Sequence, residues 1–305
     1  MNSIQRKEVK IFKEDFSYLF LQGKDQNKKI FFFHATGFNA ETYAPFINSL
    51  HQHLNEDYSI YALDQRGHGL TNASAEPSEL KSWKTYFMDG KDFVNQFSAQ
   101  ENIIMGHSMG GVVASNISYK LQDNVNKIVL IDPVIQPESL KIKLPIPNFL
   151  RAVFFLLKSF FSKSRATEMI SNAKKRRSEF LDQEEIFKHY FGRGAFKDWP
   201  EEFLRSYIKG GTKTIGQKIN LSCHPEWESK TFAVSYNASV RFIKKLTIPA
   251  YIPYASVGST FSNSAMRMVK NKKKFIFEEI DGSHFFPMEK KDLLCNKIKD
   301  FIYQP

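Results

Sequence analysis

The hydrophobic residues fall into two kinds of pattern that alternate along the chain. Short continuous apolar runs lie at residues 28–33, 58–63, 102–107, 128–131, 249–255 and 274–280. Runs of this length are typical of strands buried on both faces. Apolar residues at helical spacing lie between and after them, at 40–54, 83–97, 110–121, 264–270 and 288–303. This order predicts an α/β fold, with a mostly parallel central sheet and helices on both faces.

Two further features complete the outline of the chain. Residues 8–13 and 16–21 alternate as expected for two antiparallel strands joined by a turn. The strand–helix alternation stops at about Ile135 and resumes at about Ile248, and the stretch between them is rich in Lys, Arg and Phe. It predicts several helices. We therefore expect a core made of residues 1–134 and 248–305, with residues 135–247 as a helical insertion.

Three predictions concern this insertion. Residues 149–161 are its most apolar part, and we favour an amphipathic helix packed on the core over one lying at a lipid surface. The basic run 174–177 is interpreted as a solvated face. Cys223 is expected to be packed rather than reactive.

A candidate nucleophile lies where an apolar strand stops abruptly. The sequence Gly106-His107-Ser108-Met109-Gly110 follows that strand, and small and apolar residues at helical spacing come next. A Gly-x-Ser-x-Gly segment between a strand and a helix is a nucleophile elbow, in which a strained turn exposes the serine hydroxyl. Close approach of the neighbouring chain requires glycine at the flanking positions. The alternative interpretation is a glycine turn with an inactive serine.

Together with three other motifs, this segment resembles the α/β-hydrolase fold superfamily of serine hydrolases over nearly the whole chain. The four motifs occur in the order and at the spacing of that family, and they are His34-Ala35-Thr36-Gly37, Asp64-Gln65-Arg66-Gly67-His68-Gly69, Gly106–Gly110 and Gly282-Ser283-His284-Phe285. The resemblance implies the α/β-hydrolase fold, with the insertion as a lid after the sixth strand. It also implies that Ser108 is the nucleophile and His284 the catalytic base.

The acid that orients the base departs from the common pattern. The family usually places it after the seventh strand, but the corresponding stretch, residues 255–263, contains no carboxylate. Some members carry the acid after the sixth strand, where this chain has Asp132. We therefore assign Asp132 as the orienting acid. Asp281 is the second choice, because it lies only three residues before His284 and would need a tight local turn to reach it.

The remaining motif residues are assigned as follows. The backbone N–H groups of Met109 and, by resemblance, Thr36 are expected to form the oxyanion hole. Family members usually have glycine where this chain has Ala35, so the local geometry is expected to differ. Asp64 and Arg66 are expected to pair locally without a catalytic role, and His34, His68 and His107 to be structural.

Composition narrows the functional classes. The chain has 305 residues, a net charge of +11 and two cysteines, Cys223 and Cys295. No nucleic-acid motif accompanies the basic charge, so we expect no nucleic-acid binding, although weak association with an anionic membrane surface stays open. We expect no secretory signal, no membrane-spanning run, a reducing cytoplasmic environment, and neither a cofactor nor a metal site. Oligomeric state is not predicted.

A serine at the elbow favours acyl transfer, because relatives that open epoxides or displace halide use aspartate there. We expect a carboxylesterase that acts on a small hydrophobic ester through an acyl-Ser108 intermediate. The alternatives are a lipase, a thioesterase or a carbon–carbon bond hydrolase with the same triad. From another class, a non-catalytic ligand-binding or peripheral membrane protein stays open.

Overall fold

An eight-stranded sheet forms the centre of the molecule. The computed structural model describes residues 3–135, 165–235 and 239–304. The strands are β1 Gln5–Ile11, β2 Glu14–Leu21, β3 Asp25–Phe33, β4 Tyr58–Leu63, β5 Glu101–His107, β6 Lys127–Ile131, β7 Glu179–Phe180, β8 Thr212–Ile215, β9 Lys218–Leu221, β10 Ala250–Ala255 and β11 Phe275–Ile280. The central sheet has the order β1-β2-β4-β3-β5-β6-β10-β11, and it is parallel from β4 to β11. The pairings β1–β2 and β2–β4 are antiparallel.

Helices cover both faces of this sheet, as predicted. They are α1 Ala44–His53, α2 Lys84–Phe97, α3 Met109–Lys120, α4 Arg165–Lys174, α5 Gln183–Tyr190, α6 Glu201–Gly210, α7 Pro225–Ala233, α8 Val240–Lys245, α9 Asn263–Val269, α10 Phe286–Glu289 and α11 Lys291–Tyr303. Ile30 and Phe32 of β3 belong to one buried apolar cluster, whereas Phe31 and Phe33 belong to the other. Successive side chains of a strand point to opposite faces, so these two clusters are the two covered faces of the sheet. No helix in the described ranges is long and apolar enough to cross a membrane.

The insertion between β6 and β10 is not purely helical. Its described part contains α4 to α8 and also a small antiparallel sheet in the order β7–β9–β8. The prediction of helices alone was therefore wrong for residues 212–221. Strands of four residues around a Gly216-Gln217 turn are too short to give a clear alternating pattern. The predicted amphipathic segment 149–161 lies outside the described residues.

Helix α7 fastens the insertion to the core through buried hydrogen bonds. Trp227 Nε1 donates to the carbonyl oxygen of Arg66 at 3.1 Å. Trp83 Nε1, at the start of α2, donates to the carbonyl oxygen of Thr231 at 2.9 Å. The hydroxyls of Tyr86 and Thr231 lie 2.9 Å apart. These bonds hold α7 against helix α2 and the loop that follows β4.

Candidate active site

Ser108 occupies a sharp turn between β5 and α3. Its φ of 57° and ψ of −117° lie in a region that few residues other than glycine adopt. A Cβ on Gly110 would lie 2.0 Å from the carbonyl oxygen of Phe33, and one on Gly106 would lie 2.1 Å from that of Gly110. Larger residues cannot be accommodated at either position. The strained turn and its flanking glycines therefore have the geometry expected of a nucleophile elbow.

His284 and Asp132 form a direct pair next to this turn. Asp132 follows β6, His284 follows β11, and His284 Nδ1 lies 2.5 Å from Oδ2 of Asp132. The carboxylate accepts the Nδ1 proton, so Nε2 is the ring nitrogen left with a free lone pair. Asp132 is completely buried. The arrangement is that of a base held in one tautomer by an acid.

The loop after β10 supplies donors to Asp132 where the family usually supplies the acid itself. Ser259 Oγ donates to Oδ1 of Asp132 at 2.5 Å, and the backbone N–H of Thr260 donates to Oδ2 at 3.0 Å. The backbone N–H of Ala255 adds a contact to Oδ1 at 3.2 Å. Burial opposes ionisation of Asp132, but the bonds from His284, Ser259 and Thr260 outweigh it and hold the pKa of Asp132 below its usual value. The carboxylate therefore stays charged without solvent.

Asp281, the second choice for the acid, does not reach the His284 ring. It is exposed, and its carboxylate lies 3.5 Å from the hydroxyl of Ser256. The structure thus brings Asp132, rather than Asp281, to the candidate base.

Ser108 and His284 line the same cavity, whose volume is about 550 Å³. No hydrogen bond joins Ser108 Oγ to His284 in the described part of the chain, and such bonds often form only when substrate binds. The other lining residues come from the loop after β3, from α4 and the segment just after it, from α5, from the turn at 193–196, from α7 and from the loop after β11. The largest apolar ones are Phe38, Met169, Tyr190, Phe196, Phe232 and Phe285.

The two expected oxyanion donors lie in segments that contact each other. Thr36 follows β3 and lines the cavity, whereas Met109 is the first residue of α3. The Thr36 hydroxyl donates to Sδ of Met109 at 3.2 Å. Ala35 has no positive φ; the positive value in this loop, 78°, falls on Gly37. The alanine in place of the usual glycine therefore introduces no strain here.

His107 connects the loop after β3 with the loop that carries His284. Its Nε2 lies 3.0 Å from the carbonyl oxygen of His284, which can only accept, so Nε2 carries the proton. Its Nδ1 then accepts from the hydroxyl of Tyr43 at 2.7 Å. That hydroxyl accepts in turn from the N–H of Ala35 at 3.3 Å. Burial, together with the nearby His284, lowers the pKa of His107 to about 3, so the ring is neutral.

The other motif residues bind one another and the neighbouring backbone. Asp64 accepts from the backbone N–H of Ala40 at 2.7 Å and from Arg6 at 2.6 Å. His34 Nε2 accepts from the N–H of Gln65 at 2.9 Å. Burial lowers the pKa of His34 to about 4. Burial and the neighbouring His34 lower the pKa of His68 to about 3. These residues hold the two loops in place.

Arg176 corrects the interpretation of residues 174–177 as a solvated face. Lys174, Lys175 and Arg177 are exposed, but Arg176 lines the cavity and pairs with Glu228 of α7. Its Nη1 lies 3.1 Å from Oε2 of Glu228 and donates to Oε1 at 3.3 Å. Glu228 in turn fits against Gly37, since a Cβ there would lie 2.3 Å from Oε1. Sequence reasoning missed this pair because nothing in a run of four basic residues marks one as buried.

No group of three or more His, Cys, Asp or Glu side chains that could hold a metal ion occurs within the residues described. Cys223 is buried, and burial raises the pKa of its thiol. It packs against neighbouring apolar residues, as predicted.

A family model described as serine aminopeptidase, S33, matches residues 24–206, more than half of the chain. The chain belongs to this family of α/β-hydrolases. It is 31% identical over 113 residues to an esterase/lipase of Mycoplasma pneumoniae, a match that covers 37% of this chain and 41% of that protein. It is 22% identical over 313 residues to a serine hydrolase-like protein of Mus musculus, covering 92% of this chain and 90% of that protein. The first of these matches spans less than half of the relative's length.

Solved structures show the same fold over nearly the whole chain. E-2-(acetamidomethylene)succinate hydrolase superposes with a TM-score of 0.75 at 16% identity, covering 99% of this chain and 100% of that one. A thioesterase domain from the curacin biosynthetic pathway gives 0.72 at 15% identity, covering 97% and 99%. The α/β-hydrolase fold inferred from the motifs is therefore confirmed.

Proposed function

We propose that the protein is a serine hydrolase that cleaves carboxylic esters through an acyl-Ser108 intermediate. The observation that carries the proposal is the buried Asp132–His284 pair at 2.5 Å, which lines one cavity with a strained Ser108. A hydroxyl becomes a useful nucleophile when a base in a fixed tautomer can take its proton.

The steps follow from this geometry. Ser108 Oγ attacks the ester carbonyl while His284 Nε2 takes its proton, and the N–H groups of Thr36 and Met109 bind the oxyanion. The tetrahedral intermediate expels the alcohol, which leaves with the proton from His284. Water then attacks the acyl-enzyme as His284 takes one of its protons, and the acid is released as Ser108 regains its own. Asp132 stabilises the imidazolium in both halves of the cycle.

The cavity wall favours an ester whose body is apolar. Six of its lining side chains are aromatic or methionine, and a volume of about 550 Å³ suits a small molecule. Relatives named esterase/lipase and 2-(acetamidomethylene)succinate hydrolase agree with acyl hydrolysis as the reaction class. The latter name also makes a carboxamide the second candidate bond, because the same triad can cleave it.

Covalent labelling tests the mechanism directly. A fluorophosphonate should add once to the wild-type protein by intact mass, and Ser108→Ala should remain unlabelled. Hydrolysis of p-nitrophenyl butyrate should follow the same pattern, while Ser78→Ala, at an exposed serine outside the cavity, serves as the control. Labelling that persists in Ser108→Ala would refute the proposal, as would a wild-type protein inert to the probe. Parallel assays with acyl-CoA thioesters, vinylogous diketones and anilides then separate the ester from the other candidate bonds.

A further inference from the structure

We propose that the ester carries a carboxylate, and that Arg176 binds it inside the cavity. This inference rests on the proposed ester hydrolysis and names its substrate class. It starts from a contrast within the cavity wall. Most of the wall is apolar, yet the largely buried side chain of Arg176 also lines it, and its ion-pair partner Glu228 does not use all of its donors.

The unused donors are the first step of the argument. Nη1 of Arg176 is engaged by Glu228, but the buried Nε and Nη2 atoms have no hydrogen-bond partner among the described residues. Nε and Nη2 together form the edge of a guanidinium that binds a carboxylate through two parallel bonds. Leaving such donors buried and unpaired is costly, so this edge is suited to a partner that the described residues do not provide.

Arg66 shows in the same molecule what completes that edge. Its Nε and Nη2 bind Asp89 at 2.9 and 3.0 Å, which is the side-on bidentate geometry. Within residues 3–135, 165–235 and 239–304, no aspartate takes the equivalent place at Arg176. A substrate carboxylate could bind there if the Arg176 guanidinium turned Nε and Nη2 towards the cavity while Nη1 stayed bonded to Glu228.

The charges around the cavity agree in sign. Besides Tyr190, His189 and His284, its ionisable lining groups are Arg176, Arg193 and Glu228. Arg193 is exposed at the turn before Phe196. Burial raises the pKa of Glu228 even though Arg176 opposes the shift, which weakens the single negative group. The cavity is therefore positive overall and favours an anion over an amine.

Matched substrates test this charge preference. Monomethyl esters of dicarboxylic acids with two to five methylenes each have a neutral isostere in which the free carboxylate is a carboxamide. Acetyl esters of ω-hydroxy acids and their amides place the charge on the alcohol side. For at least one chain length, kcat/KM should be about 10- to 100-fold higher for the acid than for its amide. Methyl ω-aminoalkanoates, which Glu228 would recognise instead, should be the poorest substrates.

Two variants and one control assign the preference to Arg176. In Arg176→Met the acid-to-amide ratio of kcat/KM should fall to about one, and Arg176→Lys should recover part of it through charge alone. Arg177→Gln is the matched control, since Arg177 is the exposed neighbour that pairs with Glu185 at 2.6 Å. Its ratio should equal that of the wild type.

Three results would overturn the inference. The first is a wild-type ratio of one or less for every pair. The second is a ratio that survives Arg176→Met, and the third is a preference for the amines. A purely structural pair would lower kcat/KM for acid and amide alike. Fluorophosphonate labelling distinguishes these outcomes from failure of the proposed function. An enzyme that is labelled at Ser108 but shows no charge preference would refute only the proposal that the substrate carries a carboxylate.

Discussion

Two arginines of this protein, Arg66 and Arg176, differ in how many of their guanidinium nitrogens are hydrogen-bonded. Arg66 binds Asp89 through two nitrogens, Glu14 at 2.6 Å and the carbonyl oxygen of Ser74 at 2.9 Å. Arg176 binds one carboxylate, through Nη1 alone. Both side chains are largely buried, so burial does not separate their roles. What separates them is whether other residues of the described structure complete the hydrogen bonds of the guanidinium.

The same contrast holds for the wider networks. Asp64, Arg66 and His34 bind groups within the chain and thereby hold the loops after β3 and β4. The Asp132–His284 pair is complete on the acid side, but Nε2 of the base has no partner in the described structure. We call Asp64, Arg66 and His34 the closed network, since groups of the chain bind them, and the Asp132–His284 pair with its free Nε2 the open network, since a substrate can complete it.

The largest effect is expected from the open network. Asp132→Asn should lower kcat by about 10³- to 10⁴-fold, because an amide can no longer hold the Nδ1–H tautomer of His284. Asp281→Asn, the matched control, should change kcat less than about twofold. Steady-state kinetics on p-nitrophenyl butyrate would measure both, with circular dichroism to verify folding. Equal losses in the two variants would remove Asp132 from the triad.

Substitutions in the closed network should change the free energy of unfolding rather than kcat. Asp89→Asn keeps one acceptor but turns an NH2 group towards the second nitrogen of Arg66, and it should lower the free energy of unfolding by about 3 kcal/mol. Glu228→Gln keeps an acceptor for Nη1 of Arg176. Burial already disfavours ionisation of the Glu228 carboxyl, so little charge is lost. The substitution should cost about 1 kcal/mol or less. Urea denaturation of both variants checks the contrast, and a Glu228→Gln loss as large as that of Asp89→Asn would make Arg176 an ordinary structural arginine.

The buried histidines predict how stability depends on pH. The pKa of His34 is lowered to about 4, and those of His68 and His107 to about 3. Between those values and 6.5 the unfolded chain binds more protons than the folded one, so stability falls as pH falls through this window. At pH 5 each histidine should cost about 2 kcal/mol relative to pH 7.5. Urea titrations at the two pH values measure this cost; His68→Asn should reduce it, and His53→Gln should not.

The smallest effect is expected at the junction between the networks. Tyr43→Phe removes the donor to His107 Nδ1 and should cost about 1 kcal/mol of stability. Because His107 positions the backbone of His284, kcat should fall a few-fold with KM nearly unchanged. His107→Gln should lower kcat further. A loss of stability without any change in kcat would show that the connection from Ala35 to His284 only supports the fold.

Much of this architecture was determined by local pattern. Continuous apolar runs are buried on both faces of a sheet, so residues 28–33 and 102–107 could be placed as central strands from sequence. The Gly-x-Ser-x-Gly segment likewise predicted a turn that the backbone of Ser108 adopts, because steric requirements at Gly106 and Gly110 act over a few residues. Asp132 could be proposed because carboxyl ends of parallel strands share one edge of a sheet.

Only the tertiary structure decided which of the similar residues face the cavity. Arg176 and Arg177 are adjacent and chemically identical, yet one pairs with Glu228 inside and the other with Glu185 outside. The difference arises from contacts 52 residues apart in the chain, which no local pattern records. The same holds for Ser259 and Thr260, whose loop surrounds Asp132 from 127 and 128 residues away. Local steric constraints depend on neighbouring residues and can be inferred from sequence. The hydrogen-bond partners of a buried polar group depend on which distant residues folding brings beside it.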